Sequence, residues 1–179
     1  CLPNGGSNVH FTANSGFSLA DKVNVPTDAY SADMDWTGVT GMPEFFQPPT
    51  STLNIYGSLK YATPAEMTTV LAHITNFRGS NIHTITTSGQ LMGIYSIFEG
   101  SGEYRFADAF TSQKFIAHLR GKLKTMGHPV SVMQWFGSFN PFTYTLVDNP
   151  TAEIWFGDPV LGVSSTVTFV NTLYPQDPT

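Results

Sequence analysis

Thirteen carboxylates, five histidines and one cysteine are the groups in this chain that could move protons, hold a metal or attack an electrophile. The histidines, His10, His73, His83, His118 and His128, fall outside H-E-x-x-H, H-x-H or Cys/His ligand spacing, so their pattern points to no catalytic metal. No G-x-S-x-G elbow is present and the one thiol is Cys1, which signals neither a serine nor a cysteine hydrolase. Gly100-Ser101-Gly102 lacks the third glycine and the Lys-Ser/Thr of a phosphate loop. Asp28, Asp33 and Asp35 beside Trp36 offer oxygen ligands for calcium, but without the glycine and distal glutamate of an EF-hand loop; a solvated acidic loop is the plainer reading. His83 and Asp158 would have to meet beside a serine to form a triad, and two of the scattered acids would have to converge to cleave a glycoside. The expectation is no catalytic residue, no metal and no cofactor.

The elements that position these groups are predicted to be mainly strands. Phe, Tyr and Trp make up 13% of 179 residues, and Thr and Ser are abundant, a composition that suits strands better than helices. Charged residues are only 12%, about half the usual share, so much of the surface must be neutral polar or covered by neighbours. A net charge of −5 argues against a general nucleic-acid binder. The length suits one domain, with no apolar run long enough to span a membrane as a helix and no second cysteine for an internal disulfide. Three origins compete for the first residue, Cys1: a processing scar, a lipid-bearing terminus, or an N-terminal nucleophile.

Residues 1–50 read as an extended N-terminal arm with short strands, interrupted by Pro43, Pro48 and Pro49; residues 51–179 read as the main part of one domain. Ser51 to Tyr61 alternates, with Leu53, Ile55, Leu59 and Tyr61 on one face, a half-buried strand. Thr63 and Glu66 have capping-box spacing with Pro64 between them, and Met67, Val70, Leu71, Ile74 and Phe77 follow at helical intervals, predicting a helix of about four turns. Strands are expected over Ile82 to Thr87, Leu91 to Phe98 and Glu103 to Ala107. A second helix is expected from Ser112 to Met126, with Phe115, Leu119, Leu123 and Met126 inward. Its outer side would gather Lys114, Arg120, Lys122 and Lys124 into a basic strip, either a solvated face or a weak contact for RNA or an acidic neighbour. Four more strand-like runs, Pro129 to Phe136, Phe142 to Val147, Ala152 to Phe156 and Ser164 to Leu173, close the chain. About eight strands with two helices in crossover loops predict an all-β jelly-roll sandwich.

The junction Phe77-Arg78-Gly79-Ser80, read as the end of a helix opening a strand, resembles the capsid proteins of picorna-like viruses. The order of elements from 51 to 175, and the ending through Gly and Asn-Pro into aromatic and Trp-bearing strands, resembles the small capsid proteins of plant secovirids, the cheraviruses and comoviruses. That resemblance implies a structural subunit of an icosahedral virion, assembled in the host cytoplasm with other jelly-roll subunits around single-stranded RNA, with weak RNA contact and no catalysis. A second reading from the residues is a carbohydrate-binding adhesin or fibre domain on a similar sandwich, favoured if Trp36, Trp135 or Trp155 were exposed near a loop end. A third is an enzyme using Cys1 as nucleophile.

Overall fold

The computed structural model describes residues 3–132, apart from the side chains of 69–71, and beyond them the backbone of short strands between 135 and 169. The fold is all-β, but its architecture is a parallel β-solenoid in place of the expected jelly roll. Successive coils contribute short strands to three faces in turn, except that the coil from 74 to 94 has only an isolated bridge, Met92 to Ser112, at its third position. Face 1 stacks Ala29–Ser31, Thr52–Ile55, Ile74–Phe77, Tyr95–Phe98, Phe115–His118 and Trp135–Gly137, all parallel. Face 2 stacks Val9–His10, Met34–Asp35, Leu59–Lys60, Ile82–Thr86, Glu103–Phe106, Lys122–Lys124 and Glu153–Trp155. The third position in the coil carries one ladder of Lys22–Asn24, Glu44–Phe46 and Thr69–Leu71, and another of Phe110–Ser112, Val130–Val132 and Val167–Phe169. Among the described residues, antiparallel pairing is confined to two hairpins, at 139–146 and 157–164. A parallel neighbour needs a crossover connection, and here the rest of the coil supplies it where a helix would elsewhere.

Neither predicted helix forms; the one helical segment described is a 3₁₀ turn at Ala13–Ser15, capped by Thr12. The capping box at Thr63 is real as local chemistry. The Glu66 carboxylate accepts from the Thr63 N–H at 3.1 Å, and the Glu66 and Met67 N–H groups donate back to the Thr63 carbonyl. The turn then stops, because 69–71 pairs in parallel with 44–46 of the coil before and 74–77 with parallel strands of the coils on both sides. The apolar spacing that resembles a helix stripe is the spacing of strand, corner and strand around one coil. The segment from 112 to 126 likewise divides into parts of three strands, and Ile116 and Leu123 enter the core while Phe115, Leu119 and Met126 stay half-buried. Of the four closing runs, only Val130–Val132 has described side chains.

The segment expected as an arm supplies the first coils, with Trp36 and Phe45 fully buried and Trp36 stacked on Phe11 at 3.8 Å. The alternation from 51 to 61 holds on its inner face: Leu53, Ile55, Leu59 and Tyr61 are all buried, although a corner at Tyr56-Gly57-Ser58 divides the run into two strands. Registers place inward residues in columns. One runs Ser31, Ile55, Phe77, Phe98, His118; beside it runs Ala29, Leu53, Thr75, Ser96, Ile116. Small Thr75 and Ser96 leave room for Phe77 and Phe98, whose rings stack 4.7 Å apart.

His118 ends the described part of the aromatic column with no exposed surface. Neither ring nitrogen finds a partner at hydrogen-bond geometry, and burial pushes the imidazole down to about 4 against a weaker upward pull from the Gly121 and Arg120 backbone. A depressed basic group binds fewer protons folded than unfolded. Its stabilising contribution is therefore complete above about pH 6.5 and is lost as pH falls toward 4, by up to about 3 kcal/mol. His118→Phe, which extends the ring stack, is expected to flatten urea-measured stability between pH 7 and 4; a His118→Phe profile as steep as wild type would show that other groups set acid sensitivity.

Candidate functional site: a polar groove on face 2

On face 2 the strands of the first coils are only two residues long, and side chains take over the ladder where backbone pairing stops. Asn8 Oδ1 accepts from the Asp33 N–H at 3.2 Å, Asp33 Oδ1 from the Ser58 N–H at 2.7 Å, and Ser58 Oγ from the Thr84 N–H at 3.1 Å. Each oxygen stands where the neighbouring coil's carbonyl would, satisfying an N–H that would otherwise be open. The result is a groove of about 250 Å³, lined by His10, Asp33, Asp35, Lys60, Thr84 and Thr86 over a floor that includes Met34 and Leu59.

Register places His10, Asp35, Lys60 and Thr86 one above another, pointing outward, while Val9, Met34, Leu59 and Ile85 point into the core. Asp35 would be raised by its partial burial, but hydrogen bonds from the Thr37 hydroxyl and N–H, with the nearby charges of Lys60 and His10, hold it below the usual carboxylate range. It is therefore a carboxylate at neutral pH. Among the described residues neither Asp35 nor Lys60 enters an ion pair. Further along the same face charges are paired: Glu103 meets Arg105 at 2.5 Å and Lys124 at 3.3 Å, and on the third face Lys22 meets Glu44 at 3.0 Å. The groove thus presents an acceptor, a cation and an imidazole to whatever enters it, on a parallel sheet.

The residues singled out from sequence are dispersed. Lys114 and Arg120 lie at corners and Lys122 and Lys124 on face 2, so no helix gathers them, and Lys124 is tied to Glu103. Phe77, Arg78, Gly79 and Ser80 form the corner between faces 1 and 2, not a helix-to-strand junction. Phe77 is core, Arg78 pairs with Glu99 of the next coil, and the Gly79 N–H donates to the buried Tyr104 hydroxyl. Asp28, Asp33 and Asp35 are engaged separately, Asp28 with the Thr52 N–H at 2.8 Å. No group of three metal-binding side chains occurs among the described residues. Trp36 is core, whereas the side chains of Trp135, Trp155 and Asp158, and all of Cys1, lie outside the described residues. His83 accepts from the Asn81 N–H at 3.3 Å, and His73 packs on Tyr95 with ring centres 5.3 Å apart.

His10, Lys60, Thr84 and Thr86 were not foreseen as one site. Their signal is spacing: His10, Asp35 and Lys60 fall 25 residues apart, as do Asn8, Asp33 and Ser58, the length of one coil here. No family model, curated protein or solved structure matches the chain.

Proposed function

We propose that this solenoid is a binding module of adhesin or fibre type, and that the groove on face 2 takes a saccharide. The carboxylate of Asp35, the ammonium of Lys60, the imidazole of His10 and the hydroxyls of Thr84 and Thr86 offer mixed acceptors and donors, the chemistry that recognises sugar hydroxyls. Strands about 4.8 Å apart place His10, Asp35 and Lys60 over roughly 10 Å, a span suited to adjacent sugar units. The observation that carries the reading is that, among the described residues, Asp35 and Lys60 enter no ion pair in the groove, against paired charges elsewhere on the sheet. The capsid expectation rested on jelly-roll element order, which a solenoid does not have; what it shares with the present reading is a structural protein acting through its surfaces.

Titration calorimetry against a panel of neutral and acidic oligosaccharides tests this. A binder is expected, weakened at least tenfold by Lys60→Ala and by Asp35→Asn, about 1.4 kcal/mol each, with the melting temperature unchanged in Lys60→Ala. Equal affinity in both variants, or no binding at millimolar sugar, would overturn it.

A further inference from the structure

Asn4-Gly5 is the one Asn-Gly pair in the sequence, and Asn4 is exposed in a turn ahead of Val9–His10. The Asn4 carbonyl accepts from the Ser7 N–H at 2.9 Å. Asn4 Oδ1 accepts from the Gly6 N–H at 2.9 Å and from the Ser7 hydroxyl at 3.2 Å, which folds the side chain back along its own backbone as an Asx turn. Two donors on Oδ1 draw electron density from Asn4 Cγ. Among the described residues nothing accepts from the Gly5 N–H or from the Asn4 amide. The packing also demands the glycine: a Cβ on Gly5 would stand 2.9 Å from the Tyr56 ring, so no side chain screens the nitrogen next to Asn4. The other described asparagines lack these conditions. Asn54 is buried in a strand ahead of Ile55, Asn24 and Asn76 lie in strands ahead of Val25 and Phe77, and Asn8 and Asn81 precede the branched Val9 and Ile82.

We propose that Asn4 is a site of spontaneous deamidation, a slow covalent change that consumes only water. The Gly5 nitrogen bonds to Asn4 Cγ, the Cγ–Nδ2 bond breaks, and the amide departs as ammonia, carrying away the proton that the Gly5 nitrogen has lost. Water then opens the cyclic imide. Cleavage at Cγ leaves an aspartate, and cleavage at the main-chain carbonyl leaves an isoaspartate, in which the chain runs through the former side chain. Both products gain a negative charge, and the second has a longer main chain. The turn lies directly ahead of two links to the next coil: the Ser7 carbonyl accepts from the Ala32 N–H at 2.8 Å, and Asn8 Oδ1 from the Asp33 N–H at 3.2 Å. Lengthening the turn therefore loosens the first coil against the second, close to His10 of the groove. The inference is independent of the saccharide reading.

The test holds the full chain for weeks in mildly alkaline buffer and follows it by peptide mass spectrometry and amide exchange. Asn4 is expected to exchange its amide nitrogen for oxygen at least tenfold faster than any other described asparagine, with isoaspartate the larger product. The aged chain should exchange the Ala32 N–H at least tenfold faster than fresh chain, a local opening with the rest of the fold intact. Asn4→Gln, whose longer side chain closes the ring far more slowly, should keep both its amide and its Ala32 protection. Gly5→Val should slow the loss at least tenfold by screening the nitrogen, and Asn4→Gln supplies the readout should the valine disturb the turn through Tyr56. An Asn4 that converts no faster than Asn14, or that stays intact while other asparagines convert, would overturn the proposal. So would Ala32 protection lost at the same pace in Asn4→Gln.

Discussion

Phe98→Ala is expected to cost about 3–5 kcal/mol, seen as a fall in the urea midpoint with the slope unchanged. Phe98 is fully buried at the meeting point of the core aromatics. It stacks on Phe77 at 4.7 Å, meets Tyr104 edge-on at 5.5 Å, and lies 6.1 Å from both Phe106 and Phe110. In a solenoid each coil is stabilised by the coils above and below, with no distant part of the chain to compensate. Removing this ring loosens both interfaces of its coil, and the stacked coils around it cannot collapse into the space without breaking their ladders. Phe115 is the internal control. It also stacks face to face, on Tyr95 at 5.1 Å, but on the outer side of face 1 and half-exposed, so Phe115→Ala should cost only about 1 kcal/mol. Equal losses at the two positions would mean that the inward column is not where stability resides.

The strand-rich class was legible from composition, and the inward set of 53–61 from strict alternation, because both depend on local pattern. The architecture depended on a repeat. Tyr56-Gly57-Ser58, Arg78-Gly79-Ser80 and Glu99-Gly100-Ser101 place the same corner 22 and then 21 residues apart, with Ile55, Phe77 and Phe98 just ahead of each. Read singly, Phe77-Arg78-Gly79-Ser80 resembled a junction in a different fold; read as one of three, it marks a solenoid corner. The repeat was obscured because coil length drifts, from 25 residues between Met34 and Leu59 to 19 between Glu103 and Lys122, and because outward residues are free to vary. Short strands joined by corners also mimic helical spacing, so the stretches at 63–77 and 112–126 carry a helix-like pattern without forming helices. The groove was hidden for a related reason: its residues come from four coils, and only the coil length brings them together.

The same corners fix the second large effect. Gly100→Val is expected to cost roughly 4 kcal/mol or more, or to prevent folding altogether. A Cβ on Gly100 would stand under 3.0 Å from the Gly79 carbonyl, from the Arg78 backbone and from the Tyr104 hydroxyl. Two of those three are main chain, which cannot swing aside, so the coils at this corner would have to part. Gly121 in turn sits under 3.0 Å, in the same sense, from the carbonyls of Gly100 and Gly102, so a displaced Gly100 disturbs the coil beyond as well. Gly89 separates this close approach from simple backbone preference. Its φ of +82° disfavours a side chain, yet the nearest atom to its Cβ would be 3.9 Å away on Pro64. Gly89→Ala should therefore cost only the left-handed penalty, about 1–2 kcal/mol. Urea unfolding of the two variants decides between them: a Gly100→Val protein no less stable than Gly89→Ala would mean that the corners are not in backbone contact, and the ladders of faces 1 and 2 would then lack the shared hinge that holds them in register.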